Sequence, residues 1–263
     1  MQQRRVSILG APVDATSYQD ACDRISNWAK TKRSCYIVAA NVHVVMTAYW
    51  NPAYRHILNQ AALVTPDGMP LVWGLRRLGV QHQTRVYGPD LMLAWCDRAA
   101  KEELSIYLYG GTDIMVQRLA ENLHRRFPNL IISGTHAPPF RPLTTAEEAD
   151  DIAAIHQSGA AVVFVGLGCP KQEEWMARQQ DKLNAVMIGV GAAFSFHSGT
   201  VSQAPRWIMA WGLEWAYRLC QEPRRLWRRY VLNNTAFLVL FGLQLMNRAM
   251  RSILKPYSRH SSG

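Results

Sequence analysis

Six short apolar runs mark the chain up to residue 190: Cys35–Ala40, Ala61–Thr65, Leu104–Gly110, Leu130–Ser133, Ala160–Gly166 and Ala185–Val190. Glycine, proline or polar residues bound each one. The runs are continuously rather than alternately hydrophobic, the pattern of strands buried on both faces of a parallel sheet. Helical patterns fall between them. Thr112–Phe127 places Met115, Leu119 and Leu123 at four-residue steps on one face. Thr144 and Glu147 have the spacing of a capping box. Pro170 suits the first turn of a helix over Lys171–Leu183. This alternation predicts an α/β fold, a Rossmann-like and mostly parallel sheet with helices on both faces. Ligands of such sheets bind beyond the C-terminal strand ends.

The pattern changes near Ala204. Four tryptophans follow (Trp207, Trp211, Trp215, Trp227), then two arginine pairs (Arg224–Arg225, Arg228–Arg229) and the apolar run Ala236–Met246, which contains Gly242 and Gln244. The spacing of Trp207, Trp211 and Trp215 predicts one helical face, suited either to core packing or to a membrane. The apolar run is too short for a span, which needs about 20 residues, but an interfacial helix can use it. Charge divides the chain at the same place. Residues 1–203 hold 19 Lys/Arg and 17 Asp/Glu, whereas residues 204–263 hold 10 and 2. We therefore expect a catalytic α/β domain over 1–203 and a basic, Trp/Arg-rich helical membrane-docking appendage over 204–263. A segment so basic seeks phosphate on an anionic lipid, a nucleic acid or a substrate.

Composition excludes several classes. Charged residues are 18% of the chain, too few for wholesale disorder. The five cysteines are scattered, with no C-x-x-C pair, so they read as small buried hydrophobes rather than a disulfide or zinc framework. Residues Met1–Asp14 lack the long apolar core of a signal peptide, so a cytoplasmic location is expected, peripheral on the inner face of the membrane. There is no H-E-x-x-H and no P-loop. The D-x-D by which many nucleotide-sugar transferases hold a divalent ion is also absent.

Three glycine turns follow predicted strands: Gly110-Gly111-Thr112, Gly166 through Glu173, and Gly189 through Phe194. Glycine there lets backbone N–H groups approach a phosphate at a helix N-terminus, although close packing alone also selects it. The third turn reads G-x-G-x-x-F, which breaks the dinucleotide fingerprint and argues against a nicotinamide-dependent oxidoreductase. Arginine interleaved with tryptophan suits a nucleic-acid stacking platform, but the run Ala236–Met246 fits lipid better than bases, so no nucleic-acid partner is expected. Asp67, just past the Ala61–Thr65 strand, is the leading candidate for a general base; a turn or N-cap role before a helix from Met69 is the alternative. Asn41 follows the first strand as a hydrogen-bonding group or a turn residue. Arg85 stands at a loop-to-helix junction, as a site residue or in a surface ion pair. His43 and His197 have no ligand partners at metal-site spacing and read as core or loop residues.

Taken together, these residues resemble the WecG/TagA/CpsF glycosyltransferases (glycosyltransferase family 26). The resemblance runs from Val6 to about Tyr230. It includes Asn41, Thr65-Pro66-Asp67-Gly68, Thr84 to Gly88, the G-L-G-x-P-K-Q-E string from Gly166, Gly189–Phe194, Ser198-Gly199, Ala204 to Trp207, and Gly212 to Arg218 with Glu222 to Arg225. It implies a metal-independent, cofactor-free enzyme that transfers a hexose or N-acetylhexosamine from a UDP-sugar, with inversion, to an undecaprenyl-diphosphate-linked saccharide. Asp67 is then the proposed base, with Asn41 and Arg85 beside it. Gly110, Gly111, Gly166, Gly168, Lys171, Gln172, Gly191 and Phe194 form the candidate nucleotide-sugar site. Arg218, Arg225 and Arg228 match arginines of an appendage thought to close over the site at the membrane. Two positions depart from the family pattern, Ala39 where Thr is frequent and Ser195 where Asp is frequent.

Overall fold

The computed structural model describes residues 4–253; Lys255 and Arg259 of the basic tail lie outside them. A hairpin of β1 (Arg5–Ile8) and β2 (Ala11–Asp14) opens the chain and leads to α1 (Tyr18–Lys30). Then come β3 (Cys35–Ala40), α2 (Val42–Trp50), α3 (Pro52–Gln60), β4 (Leu63–Pro66), α4 (Met69–Arg77) and α5 (Gly88–Glu102). Next are β5 (Ile106–Gly110), α6 (Asp113–Arg126), β6 (Ile132–His136), α7 (Thr145–Gln157), β7 (Val162–Gly166), α8 (Lys171–Gln179) and β8 (Val186–Gly189). The chain closes with α9 (Ala193–His197), α10 (Arg206–Ala210), α11 (Glu214–Gln221) and the long α12 (Pro223–Ile253).

Strands β3 to β8 form one parallel sheet in the order β4-β3-β8-β7-β5-β6. Its two faces bury separate cores. Tyr36, Val38, Val163, Val165 and Met187 point into one, with α2, α3, α4, α8 and α12. Cys35, Ile37, Val162, Phe164 and Ile188 point into the other, with α1, α5, α6 and α9. Successive strand residues face opposite sides, so two apolar cores require continuously apolar strands. Five of the predicted runs coincide with strands to within two residues at either end; the run Leu130–Ser133 overlaps only the start of β6, a half-buried strand of sequence ISGTH. Thr144 and Glu147 form the expected capping box, and α6 spans Asp113–Arg126 between Thr112 and Phe127.

Some expectations change. The β1–β2 hairpin was not apparent, because Asp14 interrupts its apolar pattern. In the fold Asp14 is the tie: it pairs with Arg5 at 2.8 Å and accepts from the Val64 N–H at 2.7 Å. Leu9 and Gly10 turn the hairpin at positive φ. Helix α8 ends at Gln179 rather than Leu183, as Asp181 turns to φ 70° and its N–H donates to Ser34 Oγ at 2.8 Å. Trp207, Trp211 and Trp215 do not share one helical face. The chain breaks at Gly212 (φ 73°), where a Cβ would lie 2.8 Å from the Trp73 ring. All three are exposed, Trp211 at 74%, so they form no core. Cys22, Cys35 and Cys96 are buried, but Cys169 is partly open and Cys220 exposed.

The apolar run within α12 divides by face. Phe237 is 2% exposed and stacks on Phe241, while Leu238 is 70% exposed and Val239, Leu243 and Met246 also point outward. Burying a side chain such as Phe237 contributes about 1.5–3 kcal/mol. Gln244 fastens the helix to the hairpin: its Oε1 accepts from the Leu9 N–H at 2.8 Å and its Nε2 donates to the Ser7 carbonyl at 3.0 Å. A shallow apolar groove of about 460 Å³ lies between Trp50 and Val231, Leu232, Val239 and Leu240. Among the described residues no helix is long and apolar enough to cross a membrane.

Packing fixes two glycines in opposite ways. A Cβ at Gly166 would lie 2.6 Å from the Phe194 ring, whereas one at Gly242 would meet open space. Gly166→Ala is expected to lower unfolding free energy by about 1–3 kcal/mol through overpacking. Gly242→Ala is expected to raise it by up to about 1 kcal/mol through helix propensity. Urea unfolding of the two variants checks both signs.

Candidate active site

The C-terminal ends of the parallel strands bring the candidate residues to one edge. Asn41 follows β3 and Asp67 follows its neighbour β4; the Asp67 N–H donates to the Ala40 carbonyl at 2.8 Å. Asn41 is the N-cap of α2, with Oδ1 accepting from the N–H groups of His43 (3.0 Å) and Val44 (3.3 Å). It also hydrogen-bonds the Asp67 carboxylate. Asp67 does not cap the helix that follows it: Gly68 holds that place, with no side-chain bond. Its Oδ1 instead accepts from the Gly88 N–H at 2.6 Å, the first residue of α5. Gly88 allows this approach, since a Cβ there would lie 3.1 Å from Ala39 Cβ and 3.4 Å from Asp67 Oδ1.

Arg85 binds both the sheet edge and the C-terminal helices. Its Nε donates to the Asp67 carbonyl, and its Nη2 to Glu214 Oε2 of α11 at 2.6 Å. The pair is not a surface ion pair, because both side chains are mostly covered. The guanidinium lies 3.9 Å from the centre of the Tyr87 ring, and the Tyr87 hydroxyl donates to Glu214 Oε1 at 2.7 Å. Glu214 and Tyr87 are the residues that local reading overlooked as site members. Their signals were the G-L-E-W string and the Tyr-Gly step after Arg85.

Asp67 keeps part of its surface open, yet protein atoms crowd its carboxyl. Burial pushes its pKa up to about 6. Arg85, the Gly88 N–H and Asn41 hold it down, while the charge of Glu214 raises it further. Asp67 is thus ionised at neutral pH but close to titrating.

The glycine turns line the same edge. Strand β5 leads to α6 on one face and β7 to α8 on the other, the topological switch point outside which such sheets bind ligands. A Cβ at Gly110 would lie 2.7 Å from the Gly166 backbone, so these two glycines serve close strand packing. Phe194 is buried beneath Gly166 and Gly111 and forms the floor rather than a wall. Gly111, Gly168 and Gly191 adopt positive φ. The Gly168 N–H donates to Gln172 Oε1 at 3.1 Å, and Gln172 Nε2 to Glu173 Oε1 at 2.7 Å, so buried Gln172 braces the loop from below. Lys171 is exposed on the first turn of α8. Ser195 Oγ donates to the Ala192 carbonyl at 3.2 Å.

The three appendage arginines separate. Arg218 lies with its guanidinium 5.6 Å from the Phe196 ring. Arg225 pairs with Glu222 at 2.5 Å, and Arg228 is exposed over Trp227 at 5.3 Å. His43 is held neutral, as burial and then Arg229 lower its pKa to about 4; its Nδ1 accepts from Asn233 Nδ2 at 3.0 Å. His197 Nε2 meets the Pro89 carbonyl at 2.9 Å. Among the described residues no three His, Cys, Asp or Glu side chains cluster as metal ligands.

The sheet and its flanking helices define an α/β, Rossmann-like protein with a candidate carboxylate at a strand end. The chain belongs to the Glycosyl transferase WecG/TagA/CpsF family, whose profile matches residues 6–251, as the motifs implied. Similar to it is an N-acetylglucosaminyldiphosphoundecaprenol N-acetyl-beta-D-mannosaminyltransferase of Bacillus spizizenii, 33% identical over 198 residues, which are 75% of each chain. An enzyme of the same name from Staphylococcus aureus is 28% identical over 227 residues, 85% of this chain and 87% of its own.

The raised pKa of Asp67 has a stability consequence. Between pH about 4 and 6 the folded state holds a proton that the unfolded chain has released. The contribution of Asp67 is therefore full below pH about 4 and lost as pH rises through about 6. Asp67→Asn should be more stable than the parent at pH 8, by on the order of 2–3 kcal/mol, and no more stable at pH 4. Urea unfolding at the two pH values measures the difference.

Proposed function

We propose that the chain is an inverting glycosyltransferase that moves a hexose or N-acetylhexosamine from a UDP-sugar to an undecaprenyl-diphosphate-linked saccharide, at the inner surface of the bacterial cytoplasmic membrane. The family and the names of the two relatives support the transfer and the acceptor class. The observation that carries the chemistry is Asp67: an ionised but near-titrating carboxylate at a strand end, on the sheet edge that also carries the glycine turns.

In this reading Asp67 takes the proton of the acceptor hydroxyl. The freed oxygen attacks the anomeric carbon from the face opposite the nucleotide, and the bond to the diphosphate breaks. A base with a pKa near the working pH is efficient because it is ionised yet still a strong proton acceptor. Asn41 and the Gly88 N–H hold the carboxylate in place. Charge developing on UDP falls on backbone N–H groups of the glycine turns, on the N-termini of α6 and α8, and on arginines. Guanidinium forks suit phosphate oxygens, so neither a metal nor another cofactor is needed. Ala39, partly open beside Asp67 and Gly88, offers the sugar a methyl where other members have a hydroxyl.

The C-terminal helices supply the membrane contact. Trp207, Trp211, Trp227, Leu232 and Leu238 are exposed among Arg224, Arg225 and Arg228. Aromatic and apolar side chains enter the interface, and each nearby arginine adds about 1 kcal/mol on anionic lipid.

Asp67→Asn should lower turnover by about 10²–10⁴-fold while UDP still binds, measured by UDP release and by calorimetry. Retained turnover would remove the base assignment. Activity should persist in EDTA; an absolute need for added Mg²⁺ or Mn²⁺ would overturn charge neutralisation by arginine and N–H groups alone.

A further inference from the structure

Helix α8 buries a carboxyl that the chemistry at Asp67 does not use. Glu173, in the first turn of the helix, is 0% exposed. Its Oε1 accepts from Gln172 Nε2 at 2.7 Å, while its Oε2 is buried with no hydrogen-bond partner among the described residues. The Tyr54 hydroxyl of α3 and the Cys169 thiol lie beside it, 3.3 Å from each other. Burial pushes the pKa of Glu173 up to about 7. A proton on Oε2 turns that oxygen into a donor toward these two neighbours and leaves Oε1 an acceptor. Ionised or neutral, Glu173 therefore offers Gln172 an acceptor.

That constancy matters because an amide has two different ends. Gln172 Nε2 only donates and Oε1 only accepts. With Nε2 held by Glu173, Oε1 is turned to the Gly168 N–H, 3.1 Å away. The reverse orientation would set an NH2 group against an N–H, donor against donor, in a residue that is 4% exposed. Gln172 also lies under the turn after β8: a Cβ at Gly189 would lie 3.0 Å from its Nε2, and one at Gly191 3.4 Å from its Oε1. One amide thus supports the glycine turns after β7 and β8, which are neighbours in the sheet. Gly168 and Gly191 both have positive φ, and a Cβ at Gly168 would meet open space, so that side of the turn is free for a ligand. An apolar side chain in place of Glu173 would spare the fold an unpartnered oxygen but leave Gln172 Nε2 without its acceptor.

We propose that Glu173 is a positioning residue: it orients the Gln172 amide, and through that amide it fixes the shape of the turns after β7 and β8. Glu173 itself does not touch substrate. Its consequence for function rests on the glycosyltransferase reading, in which these turns receive the diphosphate of the donor. Loosening them weakens the hold on the donor nucleotide.

The test compares the full chain with Glu173→Met, which keeps the length of the side chain and removes the acceptor. Glu173→Gln is the conservative partner, since it keeps an oxygen for Gln172 and puts an NH2 where the neutral acid carries its proton. Amide hydrogen exchange at Gly168 reads the brace without any ligand, and calorimetry with UDP reads the affinity of the folded molecules. Glu173→Met should speed exchange at Gly168 by about 10-fold and weaken UDP by a similar factor, the size of one hydrogen bond. Glu173→Gln should stay within about 3-fold of the parent in both. Parental exchange at Gly168 in Glu173→Met overturns the proposal, as does a Glu173→Gln protein that loses as much as Glu173→Met. Gln172→Met, which removes the amide and keeps the carboxyl, answers for the brace should Glu173→Met not fold: parental exchange at Gly168 there overturns it too. Faster exchange with unchanged UDP affinity breaks the link between the brace and the donor. A parent that binds no UDP refutes the donor reading, while exchange at Gly168 still decides the positioning.

Discussion

The pairing of Arg85 with Glu214 holds the strand edge that carries Asp67 and the C-terminal helices as one object. Arg85 holds the Asp67 carbonyl with one nitrogen and Glu214 with another, and Tyr87 bonds the second oxygen of Glu214. Both side chains are mostly covered, so removing either partner leaves a charge with little water to replace it, at about 3–5 kcal/mol. Burial raises the pKa of Asp67 most, and the same two charges then act on it, with Arg85 favouring the carboxylate and Glu214 opposing it. A helix that looks like an accessory by charge and composition is electrostatically part of the site.

That coupling explains what the sequence could disclose. The strands were legible because a sheet covered on both faces needs unbroken apolar runs. The place of Asp67 was legible because Thr-Pro-Asp-Gly follows such a run. Its pKa was not, since the groups that tune it are Gly88, Arg85 and Glu214, joined only by the fold. Asn41 illustrates the limit of either/or reading: it caps α2 and supports Asp67 with the same side chain. The hairpin escaped notice because Asp14 looks like an interruption until Val64 and Arg5 are brought to it. The tryptophan face failed because a single positive-φ glycine packed on Trp73 ended the helix.

The glycine turns combine two demands. Gly110 and Gly166 are small because strands β5 and β7 and the Phe194 ring leave no room. Gly111, Gly168 and Gly191 adopt a backbone that other residues rarely take, and so shape the rim. Packing thus brings the strand ends close, and the rim lies where the helices after β5 and β7 leave the sheet on opposite faces. Helix α12 has a similar double character. Phe237 and Gln244 fasten it to the body, while Leu238 and its neighbours remain exposed.

The central claim is that Asp67 acts as the base and that Glu214 raises its pKa. The pH dependence of kcat/KM for the parent and Glu214→Gln tests it most directly. The account predicts an acid limb near pH 6 in the parent that moves to lower pH when the negative charge of Glu214 is removed. A profile flat from pH 5 to 7, or a limb that Glu214→Gln leaves in place or moves upward, would contradict it.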